Sequence, residues 1–241
     1  MNVVFLSPHF PPHYFRFCLN LKAAGANVLG VGNEPYDTLT QDVRAALTEY
    51  YQVDDMHNYD ALVRACGFFT HRYGKIDRLD SLNEYWLNTE ARLRDDFNII
   101  GIRGHEIDFI RRKSCMKAKF REAGVPVARG KVVHTIDDAR TLIRETGYPV
   151  IAKPDDGVGA IATYRLNGKQ DLDAFFETKP DTDYIMEEFI SGTIYSFDGL
   201  ADRSGNSLYA KIDAIVSRVL DDFVDDPAVF EEICREFDEY R

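Results

Sequence analysis

Residues 148–160 read YPVIAKPDDGVGA, a short apolar strand that ends in Lys153 and is followed at once by a turn containing glycine. A lysine at the end of a buried strand requires an anionic partner, because burial penalises an unpaired charge. That partner is either a nearby carboxylate, Asp155 or Asp156, or an anionic ligand. The glycines let the backbone approach phosphate oxygens and present N–H groups to them, although a simple hairpin loop has the same composition.

Two other segments carry related chemistry. Residues 186–192, MEEFISG, predict a strand end whose backbone can bind the polar edge of an adenine, with Phe189 and Ile190 lining the base pocket. The same pattern fits an ordinary strand end with two surface glutamates, Glu187 and Glu188. Residues 111–117, RRKSCMK, are by themselves typical of a solvated basic helix face.

The N-terminal half of the chain alternates strands and helices. Apolar runs predict strands at residues 3–6, 27–31, 76–82 and 99–102, and helical periodicity predicts helices at 13–24, 59–73, 84–96 and 106–123. This βαβ order predicts a parallel, doubly wound sheet, and therefore an α/β fold.

A second unit begins after residues 124–126, GVP, which end the last of these helices. We expect strands at 127–133, 150–153, 161–166 and 184–186, and helices at 136–146, capped by Thr135 or Asp137, and 171–176. Strands at 195–201 and 207–210 are predicted to form a hairpin. The apolar residues from Ile212 to Phe223 follow helical spacing.

Composition restricts the function classes. The chain has 241 residues and a formal net charge of −11, which opposes non-specific binding to nucleic acid. The four cysteines form no close pair, so we expect scattered buried thiols in a reducing compartment rather than a zinc site. Because the N-terminal apolar run is short and no stretch reaches the length of a membrane span, we expect a cytoplasmic protein without membrane partners.

Five segments, taken together and in order, resemble the ATP-grasp superfamily, whose best-known members are carboxylate–amine and carboxylate–thiol ligases. They are Lys113, AGVPV at 123–127, VIAKP at 150–154, GVGA at 157–160, and EEFISG at 187–192. Residues 1–112 resemble the Rossmann-like pre-ATP-grasp domain. The resemblance implies that domain at 1–112, a first α+β ATP-grasp subdomain at 113–183, and a truncated or divergent second subdomain at 184–241.

The resemblance also implies roles for individual residues. Lys113 and Lys153 would contact the ATP phosphates, Glu187 would accept a hydrogen bond from the adenine amino group, and the backbone around Phe189 would read the rest of the base. The ATP-binding set is then Lys113, Lys153, Gly157, Val158, Gly159, Ala160, Glu187, Glu188, Phe189 and Ile190, with the glycine loop closing over the phosphates.

The implied reaction is ATP-dependent ligation. A small-molecule carboxylate attacks the γ-phosphate, and an amine or thiol then takes the acyl group from the acyl phosphate. Lysines and Mg²⁺ neutralise charge during these steps. The resemblance is compatible with a homodimer.

The chain departs from the family pattern in two places. Ile194 stands where members commonly carry a glutamate, and no C-terminal acidic motif for Mg²⁺ is recognisable. The acidic residues near that end fit a solvated helix face better than a metal site: Asp213, Asp221, Asp222, Asp225 and Asp226. The expectation therefore stays open between an ATP-dependent ligase, a degenerate nucleotide-binding module, and an inactive fragment of a longer ligase.

Two further residues are candidates for substrate contact. Glu84 follows a predicted strand at the sheet edge where doubly wound folds bind ligands, and His9 lies in the exit loop of the first strand. Glu84 equally fits a helix N-terminus, where the helix dipole favours an acidic side chain.

Overall fold

The computed structural model of the chain describes residues 1–156, 162–201 and 207–214. Its strands are β1 (Asn2–Leu6), β2 (Asn27–Gly32), β3 (Glu49–Gln52), β4 (Arg78–Asp80), β5 (Gly130–Val133), β6 (Val150–Pro154), β7 (Tyr164–Leu166), β8 (Tyr184–Glu188), β9 (Tyr195–Ala201) and β10 (Ser207–Ala214). Its α-helices are α1 (Phe15–Ala23), α2 (Gln41–Ala46), α3 (Tyr59–Tyr73), α4 (Leu87–Asp96), α5 (Asp108–Arg111), α6 (Lys113–Glu122), α7 (Ile136–Thr146) and α8 (Lys169–Thr178).

The first four strands form a parallel sheet in the order β3-β2-β1-β4. Val4 and Leu6 of β1 pack with residues of α3, whereas Val3 and Phe5 pack with Cys18 of α1. Because successive side chains of a strand point to opposite faces, helices cover both faces of β1. The predicted α/β class and doubly wound arrangement are confirmed.

Residues 99–102 form no strand, so that prediction was wrong. The guanidinium of Arg94 in α4 donates to the carbonyl of Leu79 in β4 at 2.7 Å and to the carbonyl of Ile102 at 3.1 Å. These are backbone acceptors that an additional strand beside β4 would need. The sequence pattern also misses α2 and β3, because β3 (EYYQ) is a half-buried edge strand without a continuous apolar run.

The helix predicted at 106–123 is divided into α5 and α6. Arg112 between them has φ −87° and ψ 118°, which are extended values, and it forms an isolated antiparallel bridge with Asp156. The interruption brings the start of α6 against the end of β6.

The second sheet is antiparallel and has the strand order β5-β8-β6-β7. Helices α7 and α8 pack on one face of it, over a core that includes Val150, Ala152 and Met186. Thr135 caps α7 as predicted, in a capping box with Asp138.

Strand β8 pairs with both β5 and β6 in one hydrogen-bonded sheet. The chain divides into two compact units, Met1–Phe189 and Ile190–Arg241. In the described part of the second unit, β9 and β10 form the predicted antiparallel hairpin. Ile212 lies in β10 and pairs with Phe197, so the helical prediction for Ile212 was wrong, and residues 215–241 lie outside the described residues.

No helix in the part of the chain that the structure describes combines the length and the apolar composition needed to cross a membrane.

Candidate functional site

The junction between α5 and α6 is attached to the end of β6 by the carboxylate of Asp155, which is fully buried. Its Oδ1 accepts a hydrogen bond from the backbone N–H of Ser114 at 2.8 Å, and its Oδ2 accepts from Ser114 Oγ at 2.8 Å and Arg112 Nε at 3.0 Å. Arg112 also pairs with Asp183 at 2.5 Å. Asp155 therefore satisfies donors at the start of α6 and determines where that helix begins.

This junction brings together the two lysines that the sequence singled out. The backbone N–H of Lys113 donates to the carbonyl of Asp155 at 2.9 Å, two residues after Lys153. Burial lowers the pKa of Lys113, and the positive charge of Lys153 lowers it further. The charge of Glu84 acts in the opposite direction on the same ammonium group. Lys113, Lys153 and Glu84 therefore share one electrostatic environment.

The second sheet has a face directed away from α7 and α8. Val150, Ala152 and Met186 point to the helices, so the alternate residues of β6 and β8 point the other way. Arg165 of β7 pairs with Ile151 and lies on the same side. We call this surface the lysine face, and it consists of Ile151, Lys153, Arg165, Ile185 and Glu187.

Glu187 is the acidic centre of the lysine face. Its side chain is 5% exposed, its Oε2 lies 2.7 Å from Lys153 Nζ, and its Oε1 lies 2.7 Å from Lys117 Nζ. Gly130 on β5 makes room for it, because a Cβ there would lie 2.7 Å from Glu187 Cγ and 2.6 Å from the carbonyl oxygen of Met186. Each carboxylate oxygen thus faces one ammonium group, and the charge of Lys153 in turn acts on Lys113.

Polar groups at the end of β8, which were predicted to bind adenine, make contacts within the protein. The carboxylate of Glu188 accepts from Arg129 Nε at 2.7 Å and from the Arg129 backbone N–H at 2.8 Å, which lowers the pKa of Glu188. The N–H of Phe189 donates to the carbonyl of Pro149 at 3.3 Å. The guanidinium of Arg165 lies 4.3 Å from the centre of the Phe189 ring, a cation–π contact. The side chain of Glu188 and the N–H of Phe189 are therefore already engaged.

Some predicted residues fall elsewhere. Gly157, Val158, Gly159 and Ala160 lie outside the described residues. Ile190 is the first residue of the second compact unit.

His9 and Glu84 both lie beyond the carboxyl ends of neighbouring parallel strands, β1 and β4. Ser7 and Leu82, the residues that lead into these loops, have φ values of 52° and 57°. Such left-handed conformations are strained for residues other than glycine and cluster at functional sites. Burial lowers the pKa of His9, partly offset by Glu34, so the neutral imidazole is favoured. The structure therefore places both residues at the ligand-binding edge expected for a doubly wound sheet.

The described residues contain no group of three or more His, Cys, Asp or Glu side chains suited to holding a metal ion. Asp213 lies in β10, and Asp221, Asp222, Asp225 and Asp226 lie outside the described residues. Of the cysteines within the described ranges, Cys18 and Cys66 are buried, and burial raises both pKa values to about 12. Cys115 is only partly buried, unlike the expectation for all four thiols.

Sequence reasoning missed Lys117, Gly130 and Arg165. Lys117 lies one helical turn after Lys113, which is a usable signal because residues at i and i+4 share a helix face. Gly130 and Arg165 carry no local signal, since their positions depend on the pairing of β5 with β8 and of β6 with β7.

A family model described as an ATP-grasp domain matches residues 111–224. Among curated proteins, alanine–anticapsin ligase of Bacillus subtilis is 24% identical over 172 residues, which are 66% of this chain and 35% of that protein.

Solved structures share the fold. An L-amino acid ligase from Bacillus licheniformis superimposes with a TM-score of 0.66 and 16% identity, covering 98% of this chain and 58% of that one. N5-carboxyaminoimidazole synthetase from Staphylococcus aureus, complexed with ADP, gives a TM-score of 0.70 and 15% identity, covering 97% of this chain and 61% of that one.

The chain spans less than two thirds of the length of each of these relatives. The match at residues 111–224 includes α6 with Lys113, β6 with Lys153 and β8 with Glu187. The chain therefore matches the ATP-grasp family over residues 111–224, and it shares its fold with these solved structures.

Proposed function

We propose that the chain binds ATP at the lysine face. The observation that carries the proposal is that the ammonium groups of Lys117 and Lys153 both lie 2.7 Å from one buried carboxylate, Glu187, while the charge of Lys153 also acts on Lys113. Two ammonium groups against one carboxylate leave a local positive surplus beside Glu187, on a chain whose net charge is −11. A polyphosphate is the kind of ligand that such a surplus attracts.

Individual roles follow from the position of each group. Lys113 and Lys153 hold phosphate oxygens. The base lies toward the end of β8, beside Phe189. Because both oxygens of Glu187 face lysines, its carboxylate serves the phosphate end rather than the adenine amino group.

We further propose that the protein of which this chain is all or part is an ATP-dependent ligase that joins a small-molecule carboxylate to an amine or a thiol through an acyl phosphate, with Mg²⁺ as the metal. The activities named for its relatives support an amino acid as carboxylate and an amine as nucleophile. His9 and Glu84 lie on the substrate side, in a pre-ATP-grasp domain over residues 1–112. Among the described residues, lysines neutralise the charge of the phosphates.

A second candidate is nucleotide binding without ligation. It is favoured by Ile194, which stands where members of the family commonly carry a glutamate. The two candidates differ in turnover and not in binding.

Calorimetric titration with ADP and with ATP, each with and without Mg²⁺, tests binding. We expect Lys153→Met to weaken ADP binding at least tenfold, because the substitution removes the charge and keeps most of the side-chain volume. Lys169→Met, at the exposed start of α8, is the matched control and should bind as the unchanged chain does. If the unchanged chain binds no nucleotide, the proposal fails.

Release of ADP from Mg-ATP in the presence of a panel of amino acids then separates ligase from binding module. Turnover that requires one carboxylate and one amine supports the ligase. Binding with no turnover over the whole panel supports the second candidate.

We also propose a cytoplasmic location and a homodimer. Light scattering on the purified chain tests the dimer, and a monomeric mass at micromolar concentration would contradict it.

A further inference from the structure

Lys117 differs from an ordinary surface lysine on the same helix. Lys119, two residues later, is 49% exposed and pairs with Glu122 three residues away. Lys117 is 17% exposed, and its ammonium lies against a carboxylate that is 5% exposed on another element of the fold. An ammonium group held this way has a role beyond solvation, because the cost of partial burial is offset only by a specific partner.

The contact between Lys117 and Glu187 is an ion pair without a well-aligned hydrogen bond. Glu187 Oε1 lies 2.7 Å from Lys117 Nζ, yet this buried oxygen accepts no well-aligned hydrogen bond within the described part of the chain. Glu187 Oε2 lies 2.7 Å from Lys153 Nζ. One carboxylate is therefore shared by two cations, and neither cation is neutralised completely.

Removal of either lysine would change how the other lysine pairs with Glu187. Without Lys117, the single charge of Glu187 would be matched by the single charge of Lys153, and Lys153 would be held in a closed ion pair. With Lys117 present, Glu187 keeps a partner when Lys153 turns toward a phosphate oxygen. The buried carboxylate is then never left without a counter-charge, which would otherwise be costly.

We propose that Lys117 is a positioning residue for nucleotide binding, which carries the charge of Glu187 so that Lys153 is available to phosphate. This inference rests on the proposed binding of ATP at the lysine face. It assigns Lys117 no contact with the nucleotide, and it makes Glu187 the group through which Lys117 acts on Lys153.

The inference predicts that Lys117 affects the binding of the phosphates. A contact that only stabilised the packing of α6 against β8 would have no such selective effect. Lys117→Gln should weaken ADP binding about tenfold, within the range of coupling between groups in one ion-pair network. Adenosine, which lacks phosphates, should bind the variant as it binds the unchanged chain. Loss of a purely structural contact would instead weaken the binding of ADP and of adenosine to the same extent.

A double-mutant cycle with Glu187→Gln tests whether Lys117 affects ADP binding through Glu187. Glu187→Gln removes the charge that Lys117 balances, so ADP should bind Glu187→Gln and Lys117→Gln/Glu187→Gln with the same affinity. Lys117→Arg keeps the charge and should retain the affinity of the unchanged chain. Lys119→Gln removes one charge from the same helix and is the control for net charge.

The outcomes separate this inference from the proposed function. Failure of the unchanged chain to bind ADP would remove the proposed function itself. Normal ADP binding by Lys117→Gln, equal losses for ADP and adenosine, or a further tenfold loss in the double variant would each overturn the role of Lys117. If Lys117→Gln does not fold, the comparison of Glu187→Gln with the double variant decides the question, because neither retains the buried carboxylate.

Discussion

The carboxylate of Asp155 accepts a hydrogen bond from the backbone N–H of Ser114 at 2.8 Å, although 41 residues separate the two in the chain. Asp155 directly follows β6, two residues after Lys153, and Ser114 is the second residue of α6, directly after Lys113. A single buried side chain therefore determines the spacing between the two lysines assigned to phosphate binding.

We expect Asp155→Ala to lower the free energy of unfolding by about 2–3 kcal/mol, because it removes a helix cap and leaves Arg112 without a buried partner. ADP binding should weaken as well, since Lys113 is no longer held beside Lys153. Asp156→Ala, which breaks the more exposed pair with Arg111, is the control and should cost less than about 1 kcal/mol. Chemical denaturation and calorimetry measure the two effects, and equal losses from both substitutions would contradict the assignment.

Nucleotide binding should depend on the protonation of Lys113. Burial and the charge of Lys153 lower the pKa of Lys113, so its positive charge is lost at a lower pH than that of a free lysine. Only the protonated form attracts phosphate, and the affinity for ADP should therefore fall as pH rises through this lowered pKa. Titrations above about pH 8, where phosphate no longer ionises further, test this dependence.

Lys113→Arg provides the control for that titration, because guanidinium stays protonated in proteins. We expect the fall in affinity to move to higher pH in this variant. An unchanged pH profile would show that another group controls the titration.

Gly130→Ala should displace Glu187 or strand β5 and so disturb the lysine face. A Cβ at this position would lie 2.6 Å from the carbonyl oxygen of Met186 and 2.7 Å from Cγ of Glu187, so either β5 or Glu187 must move. Overpacking of this kind costs about 1–3 kcal/mol, and displacement of Glu187 should also weaken ADP binding.

Gly168→Ala is the matched control for Gly130→Ala. Gly168 has an extended backbone with φ −170°, and an added Cβ there meets no atom within 4 Å. Thermal unfolding of both variants should show a loss confined to Gly130→Ala, and a similar shift in both would argue against the steric explanation.

The buried pair of Arg94 and Glu90 is expected to be important for stability. The side chains are 6% and 1% exposed, and Arg94 Nη2 lies 3.0 Å from Glu90 Oε2. Arg94→Met would leave the carboxylate without its cation and should cost about 3–5 kcal/mol. Arg72→Met, which breaks a pair in which Arg72 is 57% exposed, should cost less than about 1 kcal/mol.

The loss in Arg94→Met should also depend on pH. Burial and the charge of Asp80 already raise the pKa of Glu90, and removal of Arg94 raises it further. An acid whose pKa is raised in the folded state stabilises the fold at low pH and loses that contribution as pH rises through the folded pKa. The destabilisation by Arg94→Met should therefore be greater at neutral pH than at mildly acidic pH, and denaturant unfolding at both values tests this sign.

Much of the fold was predictable because the signals are local. The apolar run that ends in Lys153, the capping residue Thr135 and the βαβ rhythm of residues 1–80 all act over a few neighbouring positions. The predictions failed where a distant side chain competes for the same backbone groups. Residues 99–102 are apolar enough for a strand, but the buried guanidinium of Arg94 binds the carbonyl groups that strand pairing would require.

In the candidate site, too, local signals were predictable and contacts between distant residues were not. Lys113 and Lys153 are identifiable from their neighbours along the chain, and so is Glu187 at the end of an apolar strand. That Glu187 lies between Lys153 and Lys117 is a matter of register, because β8 pairs antiparallel with β6 and places Glu187 opposite Ile151. A shift of one residue would have turned Glu187 toward α7 and α8.

The sequence by itself predicted the α/β class, most of the strands and helices, the resemblance to the ATP-grasp superfamily and the two lysines proposed to bind phosphate, since each depends on residues close together in the chain. Tertiary structure alone decided that Asp155 sets the start of α6, that Gly130 leaves room for Glu187, and that Lys117 shares the charge of Glu187. These relationships join residues far apart in the chain, and strand register and helix packing, rather than composition, bring their atoms within a few ångströms of one another.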